Sequence, residues 1–144
     1  MSASYVITLE ETPDLADVAF IREGLRAYNL LYAPEDGHRL LVLCLRDADQ
    51  AVVGGLLGGT YWGWLHVEIL WLAEQVRHQG YGHKLLVAAE QEALRRGCHH
   101  AHLDTMSFQA LPFYQRHGYE VYGVLEDLPL GHQRYFLKKK LKEE

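Results

Sequence analysis

Between Arg77 and Gly82 the chain reads Arg-His-Gln-Gly-Tyr-Gly, directly ahead of a long amphipathic stretch. A helix N-terminus offers unpaired backbone N–H groups and the positive end of the helix dipole, and glycines let an anion come close to those amides. The chemistry suggested is the holding of a phosphate or diphosphate, with Arg77 adding a cation at the rim. An ordinary tight strand-to-helix turn would use the same residues. Two phosphate-binding patterns are excluded. A Walker A loop needs Gly-Lys followed by Ser or Thr, whereas His83 and Lys84 follow Gly82, and the dinucleotide fingerprint needs glycine where Leu85 stands.

Other reactive side chains are scattered. His66 and Glu68 lie upstream on an apolar segment, and Tyr114 lies downstream. His99, His100 and His102 fall together among nine histidines, but no Asp, Glu or Cys completes a zinc pattern around them, so no functional metal is expected. Cys44 and Cys98 are the only 2 cysteines and form no CxxC, which argues against a disulfide framework or a thiolate zinc site and for a reducing compartment. Lys plus Arg number 14 against 19 Asp plus Glu, a net charge of −5, which disfavours a nucleic-acid partner.

These groups need a scaffold. The 144 residues, 49% apolar and 23% charged, suit one domain spanning 1–144 with a core of its own. A short apolar strand around Val6 and Leu9 is expected, then a helix opened by Thr12 as cap and Pro13 at its first position, running through Leu25 and Arg26. Leu40 to Arg46 and Ala51 to Tyr61 read as a hairpin. The glycines at 54, 55, 58 and 59 are read as bulges or close backbone packing. A third strand follows from Trp64 to Leu72, its pleat placing Trp64, His66, Glu68, Leu70 and Leu72 on one face and Leu65, Val67, Ile69 and Trp71 on the other. Gly80 to Arg96 reads as a helix with Leu85 or Leu86, Ala89 and Ala93 on its buried stripe and Gly97 past its end. A strand from His99 to Thr105, a short helix from Gln109 to Arg116, and strands near Tyr119 to Leu125 and Arg134 to Leu141 complete the chain, with Lys138 to Glu144 as a solvated charged end. The order β-α-β-β-β-α-β-α-β-β implies an α+β fold, a mixed and mostly antiparallel sheet flanked by helices.

The segment Arg77, His78, Gln79, Gly80, Tyr81, Gly82 resembles the acetyl-CoA signature Arg/Gln-x-x-Gly-x-Gly/Ala of the GNAT superfamily of N-acetyltransferases. Downstream, Tyr114-Gln115-Arg116-His117-Gly118-Tyr119 is similar to that family's Tyr-x-x-x-Gly-Phe/Tyr element, and the inferred element order resembles the family fold from about Tyr5 to Leu141. Many members carry an Asn after the strand preceding the last helix, where this chain offers Ser107 and Gln109.

The resemblance implies acetyl-CoA as acetyl donor, no metal, and direct transfer to an amine. It implies that backbone at Leu70, Trp71 and Leu72 meets the pantetheine and thioester where this strand splays from its neighbour, with Ser107 or Gln109 as a further cofactor contact. It implies Glu68 as the base that takes a proton from the amine. A carboxylate titrating near ~4.3 in water needs burial or a water relay for that task; His66 is an alternative, since imidazole titrates near neutrality. Tyr114 is implied as the acid serving the departing thiolate. Trp62, Trp64, the loop from Tyr32 to Arg39, and the turn carrying His132 and Arg134 are where relatives build the acceptor pocket; Arg39 or Arg134 could pair an acceptor carboxylate. The expected acceptor is a small-molecule primary amine, with protein or peptide N-acetylation, or a silent CoA-binding sensor, as alternatives. The N-terminal stretch shows no secretory pattern, so a cytoplasmic protein without membrane association is expected, and a homodimer is conceivable.

Overall fold

Asp14 rather than Thr12 opens the first helix. The computed structural model describes residues 4–142, and the chain divides into two units, Met1–Glu35 and Asp36–Glu144. In the first, α1 (Leu15–Asn29) begins where the Asp14 carboxylate accepts from the Ala16 N–H at 2.8 Å. Thr12 and Pro13 therefore precede the helix; Asp caps at least as well as Thr and its charge also meets the helix dipole. The strand expected around Val6 and Leu9 does not form, residues 4–10 having no ladder partner. So short an apolar run carries little to fix a register.

The second unit is built on a six-stranded sheet of order β1-β2-β3-β4-β6-β5. Its elements are β1 (Arg39–Arg46), β2 (Val52–Tyr61), β3 (Trp64–Leu72), α2 (Tyr81–Arg95), β4 (His100–Met106), α3 (Leu111–Arg116), β5 (Glu120–Glu126) and β6 (Gln133–Lys140). Every neighbouring pair is antiparallel except β3 with β4, which are parallel because α2 carries the chain back between them. The expected mixed, mostly antiparallel sheet with helices is what forms. Leu85, Leu86, Ala89 and Ala93 of α2 are buried with Leu65, Val67, Ala101, Leu103 and Leu137 in one core, so a single helical stripe faces alternate residues of three strands.

Trp62 and Gly63 join β2 to β3 with φ of 45° and 77°, the two positive values of a tight hairpin turn that follows strand twist. Further along, Leu57 pairs with Ile69 but Gly58 pairs with Val67, so Glu68 has no opposite number on β2. This is a β-bulge, and it corrects the uninterrupted pleat. Leu65 and Val67 are buried before it, whereas Leu70 and Leu72 pack against the core after it and Ile69 and Trp71 are exposed. The inward face changes from odd to even residues at Glu68. Gly58 lies opposite the bulge, where a Cβ would sit 2.2 Å from the His66 carbonyl oxygen; close backbone packing is thus the use of this glycine.

The charged C-terminal run is not uniformly solvated. Lys139 Nζ lies 2.9 Å from Glu90 Oε1 on α2, and the same carboxylate accepts from the Tyr119 hydroxyl at 2.7 Å. Alternation along β6 turns Lys139 towards α2, where an ammonium needs a partner. Residues 1–3, from the stretch read for a leader, and Glu143 and Glu144 lie outside the described residues.

Candidate active site

The glycine-rich segment sits where the sequence places it, between β3 and α2. After Leu72 a 3-10 turn, Glu74–Val76, leads to Arg77. Gly80 is the N-cap of α2 at φ +85°, no side chain caps the helix, and its first turn contains no acid. The leading N–H groups of α2 have no acceptor within the helix. With no carboxylate beside them, they form a fitting cradle for an anion. Arg77 Nε donates to the Leu72 carbonyl at 2.9 Å, holding the guanidinium beside the loop, and Gln79 Nε2 donates to the Gln75 carbonyl at 3.0 Å. Gly82 faces the Phe113 ring of α3, which a Cβ would meet at 3.5 Å.

Beside this loop the sheet opens. Pairing of β3 with β4 runs from Trp64 with His100 to Val67 with Leu103 and stops there, whereas β3 stays paired with β2 through Leu72. From the bulge at Glu68 to Leu72, β3 therefore has no strand partner on its β4 side. Leu70, Trp71 and Leu72 line this opening, and the exposed Glu68 stands at its vertex.

Ser107 and Gln109 close the far side. Gln109 Oε1 accepts from the Met106 N–H at 2.7 Å and the Thr105 hydroxyl at 3.3 Å. Ser107 Oγ accepts from the Gln133 N–H and lies 3.2 Å from His132 Nδ1. Ser107, with His132, ties the end of β4 to the turn between β5 and β6, whereas Gln109 closes the loop after β4 back onto its last residues. Arg134 is not free for an acceptor carboxylate, because it pairs with Asp104 at 2.6 Å.

Tyr114 is buried on α3, its ring set edge-on to Phe113 and Tyr119 with centroids 5.2 and 5.9 Å away. Its hydroxyl makes no hydrogen bond to a described residue. Among the described residues no buried side-chain polar atom lacks a partner, so this hydroxyl borders accessible space. Burial, reinforced by the Asp104 carboxylate, pushes the phenol up to about 12.

On the other face of the opening, Tyr61, Trp64, His66 and His102 gather. His66 and His102 stack with ring centroids 4.6 Å apart, and the Tyr61 hydroxyl is hydrogen-bonded to His102 Nε2 at 2.9 Å. Burial, then the neighbouring His66, holds His102 below the usual imidazole range. Sequence reasoning missed Tyr61, His102 and Asp104 as members of this site. The strand face shared by His100 and His102 was the available signal, but their proximity to His66 depends on the parallel pairing of β3 with β4. Among the described residues no three His, Cys, Asp or Glu side chains converge as a metal site.

The family model for the Acetyltransferase (GNAT) family matches residues 7–119. The chain belongs to the GNAT acetyltransferase family. It is 41% identical over 132 residues to Acetyltransferase Atu2258 of Agrobacterium fabrum, covering 92% of this chain and 96% of that protein. It is 40% identical over 91 residues to Blasticidin-S acetyltransferase of Streptomyces morookaense, covering 62% of this chain and 67% of that one. The crystal structure of an acetyltransferase from Bacillus cereus superposes with a TM-score of 0.86 at 35% identity, over 93% of this chain and 98% of that one. The GNAT fold therefore accounts for the parallel β3–β4 pair and for the glycine loop at the start of α2. No helix among the described residues is long and apolar enough to cross a membrane.

Proposed function

We propose that this GNAT protein is an acetyl-CoA-dependent N-acetyltransferase that acetylates a primary amine of a small molecule by direct attack in a ternary complex. The observation that carries the reading is the opening between β3 and β4 beyond Val67, flanked by the uncapped start of α2. Acetyl-CoA supplies an activated thioester. In this reading the amides at Gly80, Tyr81 and Gly82 hold its diphosphate with Arg77 at the rim, and His78 and Gln79 shape the loop. The open backbone edge along Leu70, Trp71 and Leu72, apart from the Leu72 carbonyl that Arg77 occupies, orients the acyl arm. Ser107 and Gln109 act by holding the end of β4 in place.

Glu68, at the vertex and solvent-accessible, removes the amine proton through a water. Tyr114 hydrogen-bonds the departing sulfur. A phenol held near 12 stays protonated at working pH, and the proton lost by the amine balances the one the thiolate gains. No cysteine stands in either motif, so no acyl-enzyme is invoked. The relative acting on blasticidin S supports a small-molecule acceptor.

The test is a screen of amines, antibiotic amines among them, followed by CoA release. Glu68→Gln is expected to lower kcat about tenfold, since a bound water keeps part of the relay, with the KM for acetyl-CoA within twofold of wild type. Unchanged kcat in Glu68→Gln removes it as the base. A protein that binds CoA but turns over no amine is instead the silent sensor.

A further inference from the structure

The sheet face turned away from α2 carries a groove of about 520 Å³ lined by Tyr61, Trp62, Trp64, His102, Tyr122 and Lys138. Of these, Trp64, His102 and Lys138 alternate along their strands with Leu65, Ala101 and Leu137, which are buried in the core. The groove therefore lies on the same side of the sheet as His66.

Its walls are braced by one another. Trp64 stacks on His100 with centroids 4.6 Å apart and 20° between planes, and meets His102 edge-on at 5.7 Å. Tyr61 meets His102 edge-on at 6.0 Å and is hydrogen-bonded to it. Rings fixed in this way present flat faces without losing rotamer freedom on binding. Such faces reward a planar ring over a saturated one of equal size.

Charge sets the polarity of the occupant. Lys138 is the cation of the lining, with Nζ 6.0 Å from the Tyr122 ring centroid, and among the described residues no carboxylate lines the groove. Of the acids on this side, Glu68 at the bulge and Asp104, already paired with Arg134, lie towards the opening. Glu120 faces Lys138 across β5 and β6 without an ion pair among those of the described residues. The Tyr61 phenol is raised by burial first, then by Tyr122 and the Asp36 carboxylate, which accepts from the His38 N–H. At a strand rise of ~3.3 Å per residue, Trp64 is roughly 13 Å from Glu68.

We infer that this groove is a ring subsite for the acceptor, taking a planar aromatic group that bears carbonyl or carboxylate oxygens on the molecule whose amine enters the opening between β3 and β4. The inference rests on the acetyl-transfer reading above. It adds a two-ended acceptor: an amine for the acidic vertex, an oxygen-bearing ring for Lys138 and the aromatic walls, and a tether of roughly 10 Å between them.

The test is isothermal calorimetry on the whole protein, with and without CoA, using three amines: 4-(5-aminopentyl)benzoate, its cyclohexanecarboxylate counterpart, and 5-phenylpentylamine. The benzoate amine is expected to bind at least tenfold more tightly than the cyclohexane one. Trp64→Leu abolishes that preference, and Lys138→Met weakens the benzoate amine about fivefold while moving 5-phenylpentylamine less than twofold. Equal affinities in the wild type, or a preference that survives Trp64→Leu, overturn the inference. Should Trp64→Leu fail to fold, Lys138→Met and Tyr122→Leu, both at exposed positions, carry the same comparison. CoA release is read separately. Ring-selective binding without CoA release overturns acetyl transfer and leaves the subsite standing, whereas CoA release from amines with no ring preference does the reverse.

Discussion

Tyr114→Phe is expected to lower kcat roughly a hundredfold while leaving the KM for acetyl-CoA within twofold of wild type, the size of effect expected for loss of a positioned proton donor. The substitution removes one oxygen. The ring keeps its contacts with Phe113 and Tyr119, and the hydroxyl has no hydrogen bond to a described residue to lose, so melting temperature should change little. Stability against pH supplies a second readout. The phenol's folded value of about 12 lies above its ordinary 10.0, so its contribution is complete below pH ~10 and is lost as pH rises from ~10 towards 12. The Phe variant should lose less stability across that window. Full turnover in Tyr114→Phe would make the residue an aromatic anchor for α3 and remove it from the chemistry.

What could be read from the chain, and what could not, follows from where the information lies. The stripe Leu85, Leu86, Ala89 and Ala93 is local and periodic, and all four are buried as the spacing predicts. The glycine loop is equally local, its chemistry resting on the start of one helix. The bulge at Glu68 was hidden because Ile69 and Trp71 are as apolar as Leu70 and Leu72, so hydrophobicity alone does not say which pair faces inward. Gly58, read among four glycines as a mark of a bulge or close packing, shows where on β2 the pleat changes phase but not which residue of β3 is the extra one. The cap at Asp14 was a choice between two good capping residues two positions apart. The grouping of Tyr61, His66 and His102 depends on strands joined through α2, which no local pattern encodes. Lys139 was read with its charged neighbours, although alternation on β6 turns it to Glu90.

Gly80→Val should cost roughly a hundredfold in affinity for both acetyl-CoA and CoA, and its matched partner Gly97→Val should cost none. Both glycines stand at the ends of α2 with nearly equal backbone angles, φ +85° and +87°, and at neither would a Cβ meet another atom within 4 Å. Backbone strain is therefore the same in each, about 1–2 kcal/mol for an L-residue held in the left-handed region, and in neither does the added Cβ clash. The two should melt at similarly lowered temperatures. They differ in what the strained backbone does. At Gly80 it aims the first amides of α2, and relaxation towards negative φ would swing those donors off their common point, forfeiting charge-assisted hydrogen bonds worth ~1.5–3 kcal/mol each. At Gly97 it only ends the helix. Calorimetry with acetyl-CoA and CoA on both proteins separates the effects: equal affinities would show that the helix start does not hold the diphosphate. A wild-type protein, folded and giving no heat with either molecule, would end the acetyl-CoA reading itself.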